Sequence, residues 1–309
     1  FKEVMAMAAK NKFNQISTGW NFAISSLLVI ISLFIVLPLI LVAVISVSSA
    51  ESIAFNGYTF FPSELSLRAY ENLLKTGTQI KNSYIITIFY TVVGTVMSLF
   101  VVSMFAFVLS QKRFPARKAM TYFAFFTMLF SGGLVPSYIL NVRYLHINDT
   151  IWIFLLPGLV SAYHVIILRT FFQTSIPDSL FDVARIDGAN DFTVYWRIVL
   201  PLSKAGLATI GLFNVVGRWN NWFTGMLYIE NPKLIPLQTM LQKIQKNIEF
   251  IKMNADFADT AMGFEYLRSI PTESTRMAIT IIATIPILFA YPFFQRYFIK
   301  GLTIGSVKG

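Results

Sequence analysis

At 309 residues, 55% hydrophobic and only 13% charged, with a mean hydropathy of +0.63, the chain carries too little polar surface to coat a soluble globule and belongs in a bilayer. Its net charge of +10 comes from 25 Lys and Arg that form no single basic block, a distribution that suits loops and membrane edges rather than nucleic acid. The absence of cysteine excludes disulfides, thiol catalysis and Cys-ligated metals. With only His146 and His164, both read as loop or packing residues, no zinc site or other metal site is expected.

Residues 1–21 set Lys2, Lys10 and Lys12 against Glu3, ahead of an uncharged, largely apolar run over 22–47. That run exceeds the roughly 7 to 15 apolar residues of a signal peptide and meets the ~20 needed to span a bilayer. The small residues Ser48 to Ala50 only faintly mimic a cleavage site. The connection 49–82 reads as strand-like and helical pieces, with Pro62 to Leu67 a turn into a short helix.

By the same length test, further spans are predicted at about 83–109, 119–140, 150–172, 205–228 and 277–298. The fold class is therefore all-α, a polytopic membrane protein with six transmembrane helices. Pro38, Pro136, Pro157, Pro286 and Pro292 fall inside spans, where neighbouring helices satisfy the freed carbonyls. The loop 111–118 carries Lys112, Arg113, Arg117 and Lys118 and the loop 141–149 only Arg143, so the first is expected in the cytoplasm and the second outside. Both termini, the tail 299–309 and the loop 173–204 are then cytoplasmic. The external loop 230–276 repeats Leu237, Met240, Leu241, Ile244, Ile248 and Ile251 at three- and four-residue intervals. This marks an amphipathic helix that either lies on the protein's own surface or touches a partner.

Between spans four and five, Phe181 to Ser203 reads FDVARIDGANDFTVYWRIVLPLS, short and charged between apolar segments. Ser179 is placed to cap a first helix carrying Asp182, Ala184 and Arg185, and Gly188 to stop it. Asn190 or Asp191 then caps a second helix running towards Pro201. Such a pair presents a knob to something in the cytoplasm; the alternative is an ordinary inter-span loop. Span five holds the polar cluster Asn214, Arg218, Trp219, Asn220, Asn221 and Trp222. On a continuous helix Asn214, Arg218, Asn221 and Trp222 form one stripe, and groups this costly in lipid face a bundle interior or a watery path. Amides and indoles suit sugars. Equally, the asparagines could join helices at about 0.6 kcal/mol each, and the tryptophans could be interfacial anchors.

The loop is similar to the EAA loop of binding-protein-dependent ABC importer permeases: Glu-Ala-Ala, three residues, Gly, nine residues, then Ile-x-Leu-Pro. Asp182, Val183, Ala184, Gly188, Ile198, Leu200 and Pro201 occupy those places, with Asp for Glu at 182 and Val for Ala at 183. Gly132 to Pro136, Leu168 to Phe172, Ile176-Pro177 and Trp219-Asn220 resemble carbohydrate-importer permeases, and Gln295 to Gly309 resembles the maltose-importer permease tail. RIDGAN, RWNNWF and ENPKLIPLQ look most like the branch serving complex oligosaccharides, which includes permeases for alginate, rhamnogalacturonan fragments and host N-glycans.

The resemblance implies a type I ABC importer permease fold in a prokaryotic cell membrane, surrounded by lipid. The implied assembly pairs this subunit with a sister permease, two cytoplasmic ATPase subunits and an extracytoplasmic solute-binding protein that delivers an oligosaccharide. It implies coupling to the ATPases through Asp182, Ala184, Arg185, Asp187, Gly188, Ala189 and Pro201, and tail contacts through Gly301, Gly305, Ser306 and Gly309. ATP and magnesium would bind the partner ATPases and no cofactor this non-catalytic chain. In agreement, no GxxxxGK[ST] stretch exists to cradle nucleotide phosphates. An ion-coupled secondary transporter is the alternative, weakened because Arg218 is an intramembrane cation with no evident carboxylate on the spans. A membrane enzyme is third and lacks a paired-carboxylate or His-centred constellation.

Overall fold

The computed structural model of the protein describes residues 17–76, 78–253 and 272–306. Helices run Thr18–Ser46 (α1), Ala50–Asn56 (α2), Arg68–Thr76 (α3), Thr78–Ser110 (α4), Arg117–Leu129 (α5) and Leu134–Ile139 (α6), the last continued by a π turn to Tyr144. Trp152–Leu155 (α7), Ala162–Ser175 (α8), Asp178–Ile186 (α9) and Asp191–Val194 (α10) follow, then a π turn over Tyr195–Val199 and Leu200–Leu202 (α11). Lys204–Trp219 (α12), Phe223–Tyr228 (α13), Leu237–Met253 (α14) and Glu273–Ser306 (α15) complete the series. Extended pairing among the described residues is confined to an isolated bridge, Ser48 with Leu65. The protein is an all-α polytopic membrane protein.

Among the described residues, α1, α4 and α15 are each long and apolar enough to cross a bilayer. Two bent pairs qualify jointly: α5 with Leu134–Tyr144, at 108°, and Asp191–Leu202 with α12, at 80°. The 80° bend lies at Ser203, ahead of the expected span 205–228. The expected spans themselves are interrupted rather than continuous: 119–140 between α5 and α6, 150–172 between α7 and α8, and 205–228 between α12 and α13. Local chemistry accounts for each break. Gly133 takes φ +85°, a left-handed value that a side chain opposes, so the chain turns there. Pro157 lacks an N–H and Gly158 takes φ +73°, which stops α7. After α12, Asn221 Oδ1 accepts from the Thr224 N–H at 3.1 Å and starts α13 afresh, a side-chain competitor of the helical ladder. Helix α15 in turn runs beyond the expected 277–298 and continues to Ser306.

The chain divides into two compact units. In Phe1–Glu71 with Thr272–Ile281, small polar residues fix the turn after α1. Ser49 accepts from the Ser52 N–H at 3.0 Å to cap α2, and its own N–H donates to Glu64 O at 3.1 Å. The small Ser48-Ser49 pair is thus buried turn structure. Tyr58 donates to Glu273 Oε2 at 2.9 Å, and Glu273 also pairs with Arg276. Burial first, then the Glu273 carboxylate, pushes the Tyr58 phenol up, so it remains a donor at neutral pH.

In the second unit, Asn72–Pro271 with Ile282–Gly309, α4 packs chiefly against α8 and α12. Its buried stripe is small and hydroxylic first (Ser83, Thr87, Thr91, Gly94, Ser98) and apolar later (Val102, Ala106, Leu109). The apolar half meets Val165, Leu168 and Phe172 of α8, Ile210 of α12 and the buried side of the 178–202 segment in one core. The expected amphipathic helix is α14. Leu237 and Met240 are buried, and the helix packs on this chain's own α4 and α13. Leu237 N–H donates to Thr87 Oγ1 at 2.9 Å.

Candidate functional site

One region carries the expected coupling residues and a second carries Asn214, Arg218 and Asn221 of the expected path, and both lie within the second unit. The first is a knob built from α9 to α11. The helix α9 begins at Asp178 after Pro177, so Ser179 lies within its first turn and is not its cap. Its end is a Schellman motif: the Gly188 N–H donates to Arg185 O at 2.9 Å and the Ala189 N–H to Ala184 O at 2.9 Å, with Gly188 at φ +77°. Asn190 then caps α10, accepting from the Thr193 N–H at 2.8 Å. Asp191 is not the cap; it pairs with Arg113 at 2.6 Å. The basic loop 111–118 is tied to the knob at three points, by this pair, by Lys112 with Asp178, and by Arg185 Nη2 donating to Gln111 Oε1 at 3.0 Å.

These bonds sort the expected coupling residues. Ala184 is buried and Ala189 packs on the core, so both hold the knob in place. Asp182 is exposed and touches Arg185 at 3.5 Å. Asp187 and Gly188 are exposed, and Pro201 lies in α11 at the exit. Beside Asp182, Val183 is 55% and Ile186 85% exposed, with Phe192 exposed on the second helix. Exposed Ile186 is the feature that the motif spacing missed, because exposure cannot be read from apolarity alone.

The second region is a cleft of about 230 Å³ whose walls include Tyr90, Phe154, His164, Asn214, Arg218, Asn221 and Thr224. Arg218 is buried and does not snorkel. Its Nη1 donates to Phe154 O at 2.7 Å, a carbonyl at the end of α7 that the Pro157-Gly158 break leaves short of helical donors. Tyr90 donates to Arg218 O at 2.7 Å and its ring stacks on Phe154 with centroids 4.8 Å apart. Gly94 lets α4 approach: a Cβ there would lie 2.5 Å from Arg218 Nη1. Asn214 Nδ2 donates to Ile210 O at 3.1 Å and lies 3.4 Å from His164 Nδ1. His164, set aside as a packing residue, therefore belongs to the cleft wall.

The break after Trp219 dissolves the expected stripe on one helix, although Asn214, Arg218 and Asn221 still meet at the cleft. Trp219 is buried elsewhere, its Nε1 donating to Ala283 O at 3.0 Å and its ring edge-on to Tyr84. Asn220 is exposed and donates back to Val216 O at 3.0 Å. Trp222 stands edge-on to Phe223, with Lys246 Nζ 5.9 Å from its ring centre. Tyr90, Gly94 and the Phe154 carbonyl gave no sequence signal. Gly301, Gly305 and Ser306 fall in the last turns of α15, and Gly309 lies outside the described residues. Among the described residues no group of three or more His, Cys, Asp or Glu gathers as a metal would need.

The chain is similar to known proteins over most of its length. The profile of the family described as "binding-protein-dependent transport system inner membrane component" matches residues 112–304. The polygalacturonan/rhamnogalacturonan transport system permease protein YtcP of Bacillus subtilis (strain 168) is 38% identical over 94% of this chain and 98% of its own. Protein LplC of the same organism is 36% identical over 89% of this chain and 90% of its own. A chain from the crystal structure of a bacterial ABC transporter involved in the import of the acidic polysaccharide alginate superposes with a TM-score of 0.77 at 31% identity. It matches 92% of this chain and 99% of that one.

Proposed function

Because this chain belongs to the family of binding-protein-dependent transport system inner membrane components and is an ABC importer permease, we propose that its cargo is an oligosaccharide handed over by a solute-binding protein. It pairs with a sister permease, and two separate ATPase subunits bind ATP and magnesium and drive it. The fold likeness to the alginate importer and the carbohydrate names of the relatives support this reading. An ion-coupled secondary transporter has no support among them. In this reading the chain sits in the cell membrane of a prokaryote with both termini, the 111–118 loop and the knob in the cytoplasm. The loop's four cations favour that side, and its ion pairs hold the knob beside it.

The observation that carries the coupling role is the Schellman-ended helix α9, which exposes Asp182, Val183 and Ile186 beside an ordered turn. An apolar anchor rimmed by carboxylates suits a cleft in an ATPase subunit. The substrate path in this reading runs past Asn214, Arg218 and Asn221, and Trp219, turned to Ala283, lies off it. The end of α15, with Gly301, Gly305 and Ser306, reaches the ATPases.

The test uses the purified importer in proteoliposomes. Gly188→Val places a branched side chain at φ +77°, and Asp182→Lys reverses the charge on the presented face. Both are expected to lower binding-protein-stimulated ATP hydrolysis at least tenfold while the permease remains in the membrane at wild-type amounts. Wild-type stimulation in both variants overturns the coupling assignment.

A further inference from the structure

The cap that Arg218 provides to Phe154 O uses one of the five N–H donors of its guanidinium and, the carbonyl being neutral, leaves the net charge without a counter-ion. The residue is nine-tenths buried, and its Nε has no hydrogen-bond partner. No carboxylate among the described residues lies within ion-pair distance of it, whereas Arg113, Arg185 and Arg276 each have one. A neutral amide donor would cap a carbonyl without the desolvation cost of a cation. The charge therefore needs a counter-ion that the described residues do not supply.

The space beside it is built to receive one. The cleft that Arg218 lines adds the amides of Asn214 and Asn221, the His164 ring and the Tyr90 and Phe154 rings and, among the described residues, no acidic side chain. We infer that this cleft is a subsite for a carboxylate of an acidic oligosaccharide, such as a uronate. Arg218 is the counter-ion, with Asn214 and Asn221 beside it for neighbouring hydroxyls. The inference rests on the carbohydrate-permease reading and narrows it to anionic cargo. Gly94 is part of the device: without a Cβ, α4 lies against the guanidinium and holds it at the cleft instead of letting it swing away.

Two substitutions separate charge from fold. Arg218→Gln removes the charge but, ending where Nε lies, stops short of Phe154 O, so Asn221→Asp is the variant that leaves that cap intact. Asn221→Asp keeps a side-chain acceptor for the Thr224 N–H and places a rival carboxylate in the cleft. The whole importer, reconstituted with its binding protein, is assayed for uptake of trigalacturonate and of its carboxyl-reduced counterpart. The wild type is expected to favour the acid, and each substitution to lower the acid-to-neutral uptake ratio at least tenfold. A ratio unchanged in Asn221→Asp overturns the subsite, as does wild-type preference for the reduced probe; both leave the carbohydrate reading standing. Uptake of neither probe by the wild type overturns that reading and the subsite together. Loss of the sister permease from Arg218→Gln complexes, with an unchanged ratio in Asn221→Asp, also overturns the subsite and places the counter-ion on that neighbour.

Discussion

Close packing around Arg218 makes the two glycines nearest to it on α4 and α12 behave oppositely. A Cβ at Gly94 would sit 2.5 Å from Nη1 and 2.7 Å from Cζ of Arg218, while Nη1 is held by Phe154 O on another segment. At Gly217, one residue before Arg218, a Cβ meets nothing within 4 Å. Gly94→Ala is thus expected to cost about 1–3 kcal/mol, as overpacking does in cores. Gly217→Ala should instead stabilise by ~0.5–1 kcal/mol, because alanine orders a helix at less entropic cost. Thermal unfolding of the purified complex in detergent measures both; equal and opposite shifts from the expected signs would show that the guanidinium is free to move aside. That Arg218 is costly was legible in the sequence. Its partners were not, because a main-chain carbonyl and a glycine's missing Cβ leave no chemical mark in a string of residues.

Elements show the same division. The knob's punctuation was readable: Gly188 at the left-handed stop and Asn190 at the cap follow from the conformations these side chains permit. Its attachment was not. Lys112 and Arg113 serve as positive-inside markers in the sequence, and in the folded chain they reach across to Asp178 and Asp191. Both pairs are more than half exposed, so each is expected to contribute only about 0.2–1 kcal/mol, less at high salt. A double-mutant cycle over Lys112→Ala and Asp178→Ala, read by thermal unfolding at low and high salt, checks this. A coupling well above that range, insensitive to salt, would mean that the loop is a rigid strut and not a loose tether. The interrupted spans were harder still. Gly133, Pro157 and Gly158 are visible breakers, yet hydropathy windows average across them and return single spans.

For the whole molecule, the long helix α15 joins a membrane-crossing portion, Glu273–Gln295, to turns that continue to Ser306. An extension of this kind lengthens the helix by about 1.5 Å for each residue beyond the apolar window. Deleting Ile304 to Gly309 is therefore expected to reduce transport several-fold while membrane levels fall less than twofold. Transport that tracks membrane levels would reduce the tail to a frayed end.

Composition alone determined that this protein lives in a bilayer, because 13% charged residues cannot solvate a chain of this length. Gly188 and Asn190 marked the knob's helix stop and helix cap, because both act over a few residues and are written locally. Only the tertiary structure decided where the spans break and that Arg218 caps Phe154 beside His164 and Asn214. It alone separated Trp219 from the cleft and exposed Ile186. Those outcomes depend on which main-chain groups and surfaces meet across residues as far apart as Tyr90 and Arg218, and such meetings are set by packing rather than by any neighbour in the chain.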